Sequence, residues 1–192
     1  MIAILKYNAG NSRSVENAVR KLGYDCIVSN DKETLLHADK VIFPGVGAAG
    51  SAMQYLAEKG LDQTIKSLKQ PVLGICLGLQ LMCQNTEEGD TKGLGIFDVR
   101  VRKFPPEDKV PHMGWNNLET KNGPLFNGVE TSDDVYFVHG YYAELSDQTN
   151  AICDYIVPFS AGLQQDNFYA VQFHTEKSGK IGNQILKNFL AL

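Results

Sequence analysis

An α/β fold, with a parallel or mixed central sheet flanked by helices, is predicted by three features of this 192-residue chain. Short apolar runs alternate with helix-length amphipathic stretches over residues 2–85, the rhythm of strands joined by crossover helices. Glycine turns follow two of those runs, at the strand ends where an open α/β sheet forms its binding crevice. From about residue 93 the pattern changes to short strand-like runs broken by Pro, Gly, Asn and Asp, so the second half is strand-rich. The length suits one domain, residues 1–192, with a substantial core.

The elements follow in order. Residues 2–6 are apolar enough for a strand, and the glycine turn 8–11 leads into a helix over 12–22. That helix is predicted by the stripe Val15, Ala18, Val19 and Leu22, with Asn11 or Ser12 as N-cap and Gly23 as its end. Strands are expected at 24–28 and 40–43; His37 falls between them in an exposed-looking turn and has no assigned role. A glycine loop over 44–50 opens helices at 49–59 and 61–69. A strand at 72–75 then meets a helix at 77–85, and the acidic cluster 87–90 reads as a solvated loop. Further strands are expected at 99–102, 135–139, 151–157, 159–164 and 168–173. Ile181, Ile185, Leu186, Phe189 and Leu190 share one stripe and predict a last helix over 180–190.

Composition excludes several classes of function. The net charge is −4 and no basic run occurs, which argues against nucleic-acid binding. No apolar stretch reaches the roughly 18 residues of a membrane span, and Met1 opens directly into a strand, so neither a span nor a secretory signal is expected. Cys26, Cys83 and Cys153 fall in apolar segments without CxxC spacing. Buried free thiols in a reducing cytoplasm are therefore expected, and neither a zinc site nor any other metal or cofactor.

Cys76 has a different setting. It lies in Gly74-Ile75-Cys76-Leu77-Gly78-Leu79-Gln80, between a short buried strand and an apolar helix. Most free cysteines are inert core residues, but a core position needs no glycine two before and two after it. Those glycines describe a nucleophile elbow, where the backbone turns sharply and pushes the side chain out at the strand's end. The following helix directs its free N–H groups and positive dipole end at the sulfur, favouring thiolate. A nucleophile needs a base and a group that orients the base. Of the four histidines, His174 ends the run Phe168 to Phe173 with Glu176 two residues on. In extended backbone His174 and Glu176 project to the same side. An isolated His-x-Glu is more often a solvated strand end; beside an elbow cysteine it reads as base and orienter.

The loop Gly45-Val46-Gly47-Ala48-Ala49-Gly50 also spells Gly-x-Gly-x-x-Gly. As a dinucleotide fingerprint it fails, because it follows the third strand-like run and not the first. About 20 residues on, where a ribose-binding acid belongs, stand Lys69, Gln70 and Pro71.

Gly74-Ile75-Cys76-Leu77-Gly78 together with Phe173-His174-Thr175-Glu176 resembles the class I (triad) glutamine amidotransferases, which hydrolyse glutamine and pass ammonia to a partner. The family carries proline where Thr175 stands. The Gly10-Asn11 turn, Pro111-His112-Met113-Gly114-Trp115-Asn116 and Tyr136-Phe137-Val138-His139-Gly140-Tyr141-Tyr142 are further similar to the glutaminase subunits of imidazole glycerol phosphate synthases. Those subunits usually have serine at the position of Gly140. The matching segments run from residue 2 to residue 192.

The resemblance implies a flavodoxin-like sheet, glutamine as substrate, and a (β/α)8-barrel cyclase as heterodimer partner. It implies Cys76 as nucleophile, His174 as base and Glu176 as orienter. Backbone N–H groups of Gly45, Val46, Gly47 and Leu77 would stabilise the oxyanion. Gln80, His139 and Tyr141 would line the glutamine pocket; otherwise they are a surface Gln and ordinary strand-end residues. Asn11, His112, Met113, Trp115 and Asn116 would face the partner, although a half-buried core indole is the commoner role of a lone Trp. Two alternatives stay open: the same chemistry feeding another acceptor, such as a sugar-amidinating synthase, or a non-catalytic binding subunit that keeps the fold.

Overall fold

Strand and helix alternate as expected in a computed structural model of the chain, which describes residues 1–8 and 10–192. Ala9, in the predicted first turn, lies outside the described residues. The order is β1 (Ile2–Leu5), α1 (Ser12–Lys21), β2 (Cys26–Ser29), α2 (Lys32–Leu36), β3 (Lys40–Phe43), α3 (Ala49–Lys59), α4 (Leu61–Ser67), β4 (Val72–Ile75) and α5 (Leu77–Met82). Strands then dominate: β5 (Asn85–Thr86), β6 (Thr91–Lys92), β7 (Arg100–Lys103), β8 (His112–Asn117), β9 (Thr120–Lys121), β10 (Asp134–His139) and β11 (Tyr141–Ala143). β12 (Thr149–Tyr155), β13 (Val157–Gln165) and β14 (Phe168–Val171) precede α6 (Gly179–Leu190).

Eight strands pair in the order β2-β1-β3-β4-β14-β13-β12-β9. The first five run parallel and the last three join antiparallel, so the sheet is mixed. Side chains alternate across each strand. Ile4, Ile42, Leu73 and Ile75 meet α1 and α6 through Val15, Val19, Ile185, Leu186 and Phe189. Ala3, Leu5, Val41, Phe43 and Val72 meet the opposite helices through Leu35, Leu56, Leu61, Ile65 and Leu79. Each fully buried Leu, Ile or Phe contributes about 1.5–3 kcal/mol of transfer free energy, so these two interfaces fix the sheet between its helices. β3, β4 and β14 are consecutive parallel neighbours, which brings the glycine loop, Cys76 and His174 to one edge of the sheet.

Several expectations need correction. The helix expected to reach residue 85 stops at Met82, because backbone N–H groups of Gly93, Leu94, Gly95 and Ile96 bond to the carbonyls of Gln84, Leu81, Cys83 and Met82. Gly93 is required there, since a Cβ would lie 2.1 Å from the Cys83 carbonyl oxygen. The helix expected to residue 69 ends at Ser67, with Leu68 already extended. The acidic cluster is no mere solvated loop: Glu87 bonds Arg102 and the Lys103 N–H, and Glu88 accepts from the Ala49 N–H at the start of α3. The last sheet strand closes at Val171, short of the expected residue 173. All four cysteines are buried and free. Among the described residues no helix is long and apolar enough to cross a membrane, and no group of three or more metal-ligating side chains occurs.

Candidate active site

The turn from β4 to α5 imposes an uncommon backbone on Cys76, with φ 52° and ψ −106°. A non-glycine residue at positive φ stores strain, here to present Sγ at the sheet edge. The flanking glycines are forced by space. A Cβ on Gly78 would lie 2.0 Å from the Phe43 carbonyl oxygen, and one on Gly74 would lie 2.8 Å from Met82 Sδ. The elbow is present where the sequence pattern placed it.

His174 Nδ1 and Glu176 Oε1 are 2.7 Å apart, with side chains 0% and 1% exposed. The pairing was expected, but its route differs: residues Thr175–Lys177 form a 3-10 turn that brings Glu176 back beneath the imidazole. Burial opposes charge on His174, but the interactions of Cys76 and Glu176 outweigh it and raise its pKa to about 9. Glu176 is also penalised by burial, yet His174 and Asn11 hold its pKa below the ordinary carboxylate value. Among the described residues His174 Nε2 has no partner other than the neighbouring Cys76 thiol, with which it can exchange a proton. Asn11 Nδ2 donates to Glu176 Oε1 at 2.6 Å. Asn11 is the N-cap of α1 by position, but its left-handed φ of 83° turns its side chain to the triad and not to the helix N–H groups.

A cavity of about 330 Å³ opens beside Cys76, lined by Val46, Gly47, Leu77, Gln80, His139 and Tyr141 among others. All of these were expected in the substrate region. Glu88 lines it too and was missed, because an acidic run in a loop carries no signal that one carboxylate turns inward. Gly45 stands beneath the loop, where a Cβ would lie 2.1 Å from the Tyr7 hydroxyl; that hydroxyl donates to the Pro44 carbonyl at 2.6 Å. The Leu77 N–H, expected as an oxyanion donor, points instead at the Gly45 carbonyl at 3.4 Å. In this conformation a loop carbonyl engages the Leu77 N–H, which is then not free to act as a donor to the cavity.

The polar groups behind the cavity form one chain. Gln80 Nε2 donates to the Tyr141 carbonyl at 3.1 Å and to Gln172 Oε1 at 3.0 Å. Gln172 Nε2 then donates to Cys76 Sγ at 3.6 Å. His139 Nδ1 lies 2.7 Å from the same Tyr141 carbonyl, and its Nε2 lies 3.0 Å from His112 Nδ1. Burial pushes these imidazoles down to about 3 and about 4, so both are neutral and donate in one direction, His112 to His139 to Tyr141.

His112 was expected to face a partner, but it is 3% exposed and stacked between Phe137 and Tyr155 at 4.7 Å and 4.0 Å. It supports the pocket wall from inside. Asn116 is half-buried and donates to the Asp154 carbonyl. Met113 and Trp115 are 58% and 57% exposed on the outer side of β8, so the lone tryptophan is not a core indole.

The family model described as glutamine amidotransferase class-I matches residues 3–192. Imidazole glycerol phosphate synthase subunit HisH of Bacteroides thetaiotaomicron is 57% identical over 194 residues, with 100% of this chain and 99% of that protein covered. The protein of the same name from Vibrio cholerae is 43% identical over 199 residues, covering 100% and 98%. Among solved structures, a glutamine amidotransferase shares the fold at TM-score 0.75 and 18% identity, covering 99% of this chain and 97% of that one. PurLQS from Thermotoga maritima does so at TM-score 0.70 and 16% identity, with 99% and 97% covered.

Proposed function

We infer the activity from one premise: this chain belongs to the class I glutamine amidotransferase family. Within the family it is of the imidazole glycerol phosphate synthase subunit type, a glutaminase serving histidine biosynthesis. The observation that carries the chemistry is the strained Cys76 elbow, which lines one cavity and has the buried His174–Glu176 pair beside it.

The Cys76 thiolate attacks the side-chain amide carbon of glutamine, and the C–N bond breaks as His174 Nε2 gives its proton to the leaving nitrogen. Ammonia departs and a γ-glutamyl thioester remains. His174, now neutral, takes a proton from water; the hydroxide equivalent attacks the thioester, and glutamate leaves as the thiolate is restored. Glu176 keeps the imidazole in the tautomer and orientation this requires, and Asn11 holds Glu176. Glu88 places a carboxylate in the cavity, the complement of the α-ammonium group of an amino-acid substrate.

Oxyanion stabilisation needs a rearranged loop. The Gly45 carbonyl must release the Leu77 N–H, and the peptides of residues 45–47 must turn a donor inward. Gly45 and Gly47, the latter at φ 117°, supply the backbone freedom. We propose that the loop turns when a partner subunit docks. We assign the exposed Met113 and Trp115 to the docking face, with Asn11 and Asn116 as further candidate contacts, and take the partner to be a (β/α)8-barrel cyclase that receives ammonia before solvent can protonate it.

The test of the chemistry is glutamate release by the assembled complex. Cys76→Ala is expected to abolish it while the variant still binds its partner. Undiminished release would remove Cys76 from the mechanism.

A further inference from the structure

We propose that Gln172 is a further catalytic residue of the site: its side-chain amide donates to the Cys76 sulfur and holds it as thiolate, aimed into the cavity. This rests on the cysteine mechanism above and adds a group to it.

Both ends of the Gln172 amide are determined by the network. The Tyr141 carbonyl can only accept, so the Gln80 atom facing it is the nitrogen. That same nitrogen faces Gln172 at 3.0 Å, so the Gln172 atom it meets is the oxygen. The remaining end of Gln172 is therefore N–H, and it lies 3.6 Å from Cys76 Sγ, a normal reach for a hydrogen bond to sulfur. A backbone carbonyl thus sets the polarity of a chain that ends on the reacting atom.

The surroundings make this contact matter. Gln172 is fully buried, and its backbone N–H is bonded to the Ala161 carbonyl, so the side chain hangs from a fixed strand end. An N–H bonds weakly to a neutral thiol and strongly to a thiolate, more so away from water. The sulfur carries full charge before attack and again when the thioester breaks. In the thioester it is neutral. Gln172 accordingly favours thiolate formation and thiolate departure, the two steps in which sulfur gains charge. Gln80 acts through Gln172 as a positioning residue, and it lines the cavity, so the network links the substrate pocket to the sulfur.

The readout is the pH profile of Cys76 alkylation by iodoacetamide in the partner-bound chain, followed by peptide mass spectrometry, alongside kcat and KM for glutamine. Gln172→Met keeps shape and removes the donor; Gln172→Glu keeps shape and sets a carboxylate beside the sulfur. Both are expected to move alkylation to higher pH, with Cys76 about tenfold or more slower near neutrality and kcat down by a similar factor at nearly unchanged KM. A Gln172→Met profile that overlays the wild type would overturn the proposal. If that variant does not fold, Gln80→Met, which frees the Gln172 amide to rotate, is expected to shift the profile the same way, and no shift would count against it equally. Wild-type complex that releases no glutamate would refute the proposed function, while the alkylation profile would still decide the contact.

Discussion

Gly78 has no room for a side chain: an added Cβ would lie 2.0 Å from the Phe43 carbonyl oxygen. Gly78→Ala is expected to destabilise the chain by at least about 2 kcal/mol, measurable by urea unfolding, because backbone must shift on both sides. His174 sets a pH dependence. Its folded pKa is raised to about 9 from an ordinary 6.5, so its stabilising contribution is complete below 6.5 and is lost as pH rises through about 9. Glu176 is depressed below its ordinary 4.5, so its contribution is present above 4.5 and lost as pH falls. The stability gap between wild type and His174→Gln is therefore expected to be wider near pH 6 than above pH 9; a gap that widens with alkaline pH would contradict the charged pair. Cys76, His174 and Glu176 were legible because glycine spacing and a His-x-Glu pair are local patterns. Asn11 on Glu176 and Gln172 on Cys76 span 165 and 96 residues of sequence, and nothing local marks them.

At the scale of elements, strand-to-loop junctions carry the site. β3, β4 and β14 each end in one part of it, and their adjacency follows from parallel pairing that apolar runs announce in the sequence. The short and polar elements were not legible. β8 reads His-Met-Gly-Trp-Asn-Asn, with no clean alternation, and becomes a strand by pairing with β10. α5 stops early because a distant segment claims its last carbonyls. The 44–50 loop and α3 are joined to the acidic cluster by Glu88 on the Ala49 N–H. Glu88→Gln is expected to lower stability by only about 1 kcal/mol. It should raise KM for glutamine far more, by tenfold or beyond, if its carboxylate meets the substrate ammonium. Unchanged KM would confine Glu88 to capping α3.

For the whole molecule, the proposed docking face is the one that exposes Met113 and Trp115. Trp115→Ala is expected to leave stability within about 0.5 kcal/mol, since the indole is 57% exposed. The same change should weaken partner binding about tenfold or more, as loss of an aromatic anchor does; titration calorimetry separates the two. A partner on this proposed face would sit on the strand that holds His112, whose hydrogen bond to His139 leads to the Tyr141 carbonyl and the cavity. On the proposed account, the loop conformation with the Leu77 N–H taken by Gly45 is the one that precedes docking. Glutamate release from glutamine should therefore be measured for the chain alone and mixed with the proposed partner, a barrel cyclase carrying its ribonucleotide ligand. A large rise on mixing is the predicted result. Equal rates with and without the loaded partner, or silence beside a functional cyclase, would contradict it.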